Sequence, residues 1–167
     1  SMRDIGAAMT PHNAFLLLQG LETLSLRMQQ HVSNAQAMVT WLQQHDAVKW
    51  VNHPDIDANS HTKLLFPKGA GSMLTFGVKG GRDAGAAFID ALQLSSNLAN
   101  VGDSRTLVLH PGSTTHSRLS EADLVSAGIS ADLIRVSVGI ETLKDIQADF
   151  NLGLRAAAKV SANKAEG

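Results

Sequence analysis

"DLIRVSVGIE", residues 132–141, is the run on which the reading of the fold turns. Val and Ile favour pleated backbone and side chains two apart share a face, so Ile134, Val136, Val138 and Ile140 form one apolar surface and the spacing predicts a core strand. Leu133, Arg135, Ser137 and Gly139 fall on the other face, where bulk shrinks toward the glycine and leaves space beside the guanidinium. Two readings of Arg135 are open at this point. One is a solvated or salt-bridged residue on the outer face of an edge strand. The other is a carboxylate receptor, because a guanidinium forms two parallel hydrogen bonds to a carboxylate and a strand holds it more firmly than a loop.

Upstream, Thr10-Pro11 predicts a helix start, with the hydroxyl accepting from a free amide and the proline in the first turn. Leu17, Leu21, Leu24, Met28, Val32, Ala35, Val39 and Leu42 recur at three- and four-residue steps, which predicts one long helix over about residues 11–45, with a bend or close contact near Gly20. Residues 48–51 read as a short strand, 52–71 as an irregular connection and 72–79 as a strand whose core face is Leu74, Phe76 and Val78. A turn at Gly80-Gly81 leads into a short amphipathic helix containing Ala84, Phe88 and Leu92, and residues 107–109 give another strand. Ser120 with Asp123, and Thr142 with Asp145, resemble capping boxes; Gly128 suits the end of the first of these helices, and the second is expected to end near Ala158 ahead of a frayed tail, 159–167. The order predicts an α/β two-layer sandwich, a mixed sheet with helices on one face.

The 167 residues, 44% hydrophobic, suffice for one domain with a substantial core. With 14 Lys+Arg against 15 Asp+Glu and no basic run, the sequence offers nucleic acid no attractive surface. No apolar run approaches the ~20 residues of a spanning helix, so no membrane partner is expected. The absence of cysteine excludes disulfides and thiolate chemistry and fits a cytoplasmic protein. Residues 1–3 read as a scar left by tag removal at the start of an excised segment.

His110 and His116 flank "HPGSTTH", but their spacing matches no common metal motif and no acidic ligand is near in sequence, so no metal is expected. The run reads better as a loop of hydroxyls and amides, structural or ligand-binding. "GVKGGRDAG" lacks the spacing of a phosphate-binding loop and reads as a strand-to-helix turn. No catalytic triad or nucleophile elbow can be picked out.

Several runs together resemble a known family. "LIRVSVGIETLKDIQADFNLGL" resembles the C-terminal signature of the pyridoxal-phosphate enzymes of cysteine and methionine metabolism. "MTPHNAFLLLQGLETLSLRMQQHVSNAQAMVTWLQQH" is similar to the helix linking that family's large and small domains, and "GAGSMLTFGVKGG" to the strand that follows it. "SSNLANVGDSRTLVLHPGSTTHSRL" is nearest the O-acetylhomoserine sulfhydrylase branch.

The resemblance implies that residues 4–158 are the small C-terminal domain of a fold-type I pyridoxal-phosphate transferase, with a long N-terminal linking helix. It implies that Arg135 binds the substrate's α-carboxylate and that Thr115 lies near the same pocket. Asn97 stands where many relatives carry the serine of a Ser-Leu-Gly-Gly motif, so it would contact the ligand through an amide. The Schiff-base lysine, the aspartate facing the pyridine nitrogen and the phosphate-binding groups would belong to a preceding large domain, the chain's expected partner. No catalytic or cofactor-binding residue is therefore expected in this chain, nor cofactor bound to it alone. The full-length protein is expected to be a homo-oligomer, a tetramer by family, making homocysteine from O-acetylhomoserine and sulfide, or a thioether from a thiol, by γ-replacement. The rival expectations are a cystathionine γ-synthase or γ-lyase or a methionine γ-lyase, and a non-catalytic binding or assembly module.

Overall fold

The computed structural model describes residues 2–56, 59–114, 123, 126 and 128–165. A short helix α1 (Met2–Ile5) precedes α2 (Pro11–Glu22), which begins as the sequence directs: Thr10 caps it by accepting from the Asn13 amide at 3.2 Å, and Pro11 opens the first turn. The single helix expected over 11–45 is in fact two, because the chain breaks at Thr23 before α3 (Leu24–Gln43). Arg27 bridges the break, its Nε donating to Thr23 Oγ1 at 3.3 Å and its Nη2 to Gly20 O, so a carbonyl at the end of α2 gains a cationic partner. The apolar stripe divides at the same place. Ala35, Val39 and Leu42 are buried, whereas Leu17, Leu21, Leu24 and Met28 are exposed.

Beyond α3 come β1 (Val48–Asn52), α4 (Ser60–Leu65), β2 (Met73–Val78), α5 (Gly81–Asp90), β3 (Ser96–Asn97), β4 (Leu107–Leu109), β5 (Leu133–Ser137) and α6 (Leu143–Ala165). The five strands form one sheet in the order β1-β2-β5-β4-β3, antiparallel at each junction except β3–β4. The α/β reading with a mixed sheet is thus met.

Three differences have local causes. The stretch read as irregular contains α4, capped by the Asn59 side chain, which accepts from the His61 and Thr62 amides. The two-residue β3 is too short for periodicity to reveal. The last helix continues to Ala165 rather than fraying near 158, because Val160 packs on the core and Lys164 Nζ lies 2.6 Å from Asp83 Oδ2. The helix expected after Ser120 lies outside the described residues.

The core lies on one face of the sheet. Leu74, Phe76 and Val78 of β2, Val108 of β4 and Ile134 and Val136 of β5 meet Met38 and Leu42 of α3, Phe88 of α5 and Phe150 and Leu154 of α6, all essentially inaccessible. Phe88 stands edge-on to both Phe76 and Phe150 at centroid distances of 5.5 and 5.4 Å, the arrangement the ring quadrupoles favour. Gly153 permits this packing, since a Cβ there would lie 2.6 Å from Phe88 Cδ2.

Candidate carboxylate site

The face of the sheet turned away from these helices carries the odd-numbered residues of β5. Register places Asn52, Thr75, Arg135 and Leu109 on one rung across β1, β2, β5 and β4, with Met73, Ser137 and Leu107 on the next. β5 is a central strand, so the expectation of an outer face on an edge strand does not hold. Nor does a neighbouring acid neutralise Arg135: the guanidinium is half-buried and has no hydrogen-bond or ion-pair partner among the described residues.

It borders a cleft of about 220 Å³ lined with Asn52, His53, Pro54, Met73, Leu74, Thr75 and itself. No carboxylate lines this cleft. A partly desolvated cation without a counter-charge is costly to hold, and a carboxylate matching its two-pronged donor geometry is the natural complement.

Nearby groups define the ends of β5. Trp50 lies against Gly77, where a Cβ would come within 2.6 Å of Trp50 Cε2, and its Nε1 donates to Asp132 Oδ2 at 3.2 Å. Lys49 Nζ stands 3.5 Å from the same oxygen. Burial opposes the charge on Asp132, but the residue's own amide, Lys49 and Trp50 outweigh it and hold its carboxyl below the usual range. That acid is engaged just before β5 by Lys49 and Trp50 and not by Arg135.

The described part of the "HPGSTTH" loop is built on His110. Its Nε2 lies 2.9 Å from Ala131 O and its Nδ1 2.8 Å from Ser113 Oγ; since a carbonyl only accepts, Nε2 carries the proton and Nδ1 accepts from the serine. Burial lowers the His110 pKa, with nearby Arg82 adding to the effect against the Ala131 carbonyl and Asp132. Thr114 Oγ1 donates to His110 O at 2.8 Å within the loop, Arg82 Nε donates to Gly112 O at 2.9 Å, and with the His110–Ala131 bond the loop is tied both to α5 and to the segment before β5. Among the described residues no cluster of three potential metal ligands is present.

Of the three residues singled out from sequence, the structure describes two, Arg135 and Asn97, and does not bring them together. Arg135 lines the cleft. Asn97 is exposed on β3, two strands away, and its register with Val108 puts it on the helix-covered side of the sheet. Thr115 lies outside the described residues. What strand alternation could not supply was register: it puts Thr75 on the polar side of its strand, but not opposite Arg135.

The fold and this site describe a mixed-sheet α/β domain with a half-buried arginine beside a cleft, and the comparisons place it. The family model for Cys/Met metabolism PLP-dependent enzymes matches residues 1–155, and the chain belongs to that family. It is 48% identical over 160 residues to the homocysteine synthase of Schizosaccharomyces pombe, covering 94% of this chain and 37% of that protein. It is 44% identical to O-acetyl-L-homoserine sulfhydrylase 1 of Thermus thermophilus, covering 92% and 37%. Among solved structures, a Campylobacter jejuni protein carrying an N'-pyridoxyl-lysine-5'-monophosphate superposes with a TM-score of 0.76 at 41% identity, covering 92% of this chain and 37% of that one. The chain thus spans little more than a third of the length of these relatives.

The family is pyridoxal-phosphate-dependent. No lysine lines the Arg135 cleft, so the residues gathered there fit a carboxylate and not the cofactor's aldehyde. No helix among the described residues is long and apolar enough to cross a membrane.

Proposed function

We propose that this chain is the substrate-carboxylate-binding small domain of an O-acetylhomoserine sulfhydrylase, a longer cytoplasmic homo-oligomer that replaces the acetate of O-acetylhomoserine with sulfide to give homocysteine. The observation that carries the reading is the half-buried Arg135 guanidinium, on a central strand, bordering a cleft and without a partner among the described residues. The relatives named as homocysteine synthase and O-acetylhomoserine sulfhydrylase support the choice of branch.

In this reading Arg135 binds both oxygens of the α-carboxylate and so orients the amino acid with its γ-carbon toward the reacting groups. Thr75, opposite Arg135 on β2, and Met73 line the same cleft. The pyridoxal phosphate supplies the electron sink for the γ-replacement and is held by a large domain outside this chain, as are the Schiff-base lysine and the groups around the cofactor. The chain alone is then inactive.

The test is homocysteine formation by the full-length, cofactor-loaded protein from O-acetylhomoserine and sulfide, with O-succinylhomoserine and cystathionine alongside. Turnover confined to the acetyl ester is expected, with KM raised at least a hundredfold in Arg135→Ala, since truncating one partner of a desolvated ion pair costs about 3–5 kcal/mol. Arg135→Lys also loses affinity, because an ammonium lacks the two-pronged geometry. An unchanged KM in Arg135→Ala removes the residue from the site, and turnover of another substrate in place of the acetyl ester moves the protein to another branch.

A further inference from the structure

The backbone leaving β5 passes through a polar clamp set in an otherwise apolar seam. From α3, His31 Nδ1 donates to Val138 O at 2.7 Å. One turn further, Asn34 Nδ2 donates to Gly139 O at 3.1 Å and to Glu141 O at 2.9 Å, while Gln30 Nε2 donates to Asn34 Oδ1 at 2.8 Å. From the opposite side the Thr106 amide donates to Glu141 Oε1 at 2.6 Å. The Thr106 hydroxyl donates to Glu141 Oε2 and accepts from the Gly139 amide, each at 2.9 Å. His31, Asn34 and Thr106 are 1%, 2% and 0% exposed. Only glycine fits at 139, since a Cβ there would lie 2.5 Å from the Thr106 nitrogen.

Burying this much polarity gives little net stability compared with an apolar side chain of the same size. Directional hydrogen bonds do something apolar contacts cannot: they fix a backbone along its own axis as well as across it. Both carbonyls held by Asn34 belong to the segment just beyond β5, and Arg135 lies four residues before the nearer one, Gly139, about 13 Å back along the chain at ~3.3 Å per residue. Two-pronged carboxylate binding requires the guanidinium to be held to within about 0.5 Å.

We propose that Asn34 is a positioning residue for carboxylate recognition: by gripping the carbonyls of Gly139 and Glu141 it sets where β5, and with it Arg135, stands. The inference rests on the reading of Arg135 as the carboxylate ligand. His31 and the Thr106–Glu141 pair complete the grip from either side, so a shift of α3 moves the strand bearing the guanidinium.

The experiment compares two ligands of the full-length protein loaded with pyridoxal phosphate. Homoserine keeps the carboxylate and lacks the leaving group; 3-aminopropan-1-ol is the same chain without the carboxylate. Calorimetry gives both affinities for wild type, Asn34→Ala, Arg135→Ala and the double variant. Asn34→Ala is expected to weaken homoserine about tenfold, within the range a misplacement of about 1 Å produces, and to leave aminopropanol unchanged. In the Arg135→Ala background it adds nothing, as two residues acting through one contact require.

Equal weakening of both ligands by Asn34→Ala, or full additivity in the double variant, overturns the positioning role while leaving Arg135 in place. Unchanged homoserine affinity in Arg135→Ala overturns the carboxylate reading and this proposal with it. If Asn34→Ala does not fold, Thr106→Ser and Thr106→Val carry the test. The serine keeps both hydroxyl bonds and wild-type homoserine affinity, whereas the valine shows the carboxylate-selective loss; equal homoserine affinities in the two overturn the proposal.

Discussion

The two faces of the sheet are made by alternate residues of the same strands, yet they are different environments. On one, Phe76, Val108, Ile134 and Val136 interlock with three helices and are inaccessible. On the other, Asn52, Thr75 and Arg135 share a rung beside a cleft, and the arginine has no partner among the described residues. A strand alternating with period two can thus carry a packing surface and a recognition surface at once, each supporting the other. Rigidity comes from the helix-covered side, and in the proposed reading specificity is displayed on the side that carries Arg135. Substitutions should sort the same way, those on the helix side acting on stability and those on the cleft side on ligand affinity.

The largest effect on stability is expected from Phe150→Ala. Phe150 is inaccessible and packs on Phe88 and Phe76 with centroids 5.4 and 6.1 Å away, so truncation should cost about 3–5 kcal/mol in denaturant unfolding. Arg135→Ala, on the opposite face of the sheet, should change stability by less than about 0.5 kcal/mol, because it breaks no hydrogen bond or ion pair among the described residues. Comparable losses from the two would erase the distinction between the faces.

Asp149 sharpens the comparison, because it is a charge on the helix side with every need met. Its Oδ1 accepts from the Gln93 and Leu94 amides at 2.6 and 2.9 Å and its Oδ2 from the Ser95 amide at 2.9 Å, fixing the loop beyond α5. Asp149→Asn replaces an acceptor with a donor facing an amide and should cost about 1–3 kcal/mol. Burial raises the Asp149 pKa, but the three amides outweigh it and the net shift is downward from 3.8. The unfolded chain therefore binds a proton before the folded one does: the stabilisation is whole above pH 3.8 and is lost as pH falls through the folded value. Acid unfolding should show the wild-type and Asp149→Asn curves converging; parallel curves would remove the carboxylate from this role.

Much of this division was legible in the sequence. The alternation in 132–141 gave both faces of β5, and the phase of Leu74, Phe76 and Val78 gave those of β2. Strand order was not legible, because β5 is placed in the middle of the sheet by pairing with β2, whose residues lie 56 to 64 positions away (133 − 77 and 137 − 73), so an arginine on a central strand could not be told from one on an edge. The clamp escaped for a different reason. His31 and Asn34 interrupt the apolar stripe of α3 and look like its solvent side, and only carbonyls contributed from residues 138–141 make their burial tolerable. Asn97 and Thr115 were singled out through family resemblance, to which periodicity adds nothing.

A smaller pH effect should come from His110, which lies against Gly85 of α5. Burial lowers the His110 pKa below 6.5, so between the folded value and pH 6.5 the unfolded chain carries a proton the folded one resists. Stability is then whole above pH 6.5 and declines below it, with a slope no steeper than about 1.4 kcal/mol per pH unit for one proton. His110→Gln should remove that part of the slope in unfolding curves measured from about pH 7.5 to 5.5, a window spanning the ordinary histidine range; an unaltered slope would show that His110 takes up its proton as readily in the folded protein as in the unfolded one.

The smallest effect is expected where sequence composition suggests the opposite. α2 carries Phe15, Leu16, Leu17, Leu18 and Leu21, each more than half exposed, and none of its residues is buried. α3 continues the same pattern with Leu42 inaccessible. Leu42→Ala should cost about 2–5 kcal/mol of this chain's stability, whereas Leu18→Ala should cost less than about 0.5 kcal/mol, since transfer and cavity terms both require burial. Because these leucines surround α2 instead of lining one side, a single flat contact could cover only part of them. In the full-length protein the same Leu18→Ala should become destabilising if the rest of the chain encloses α2, and the difference between the two measurements reports how much of the helix is buried there.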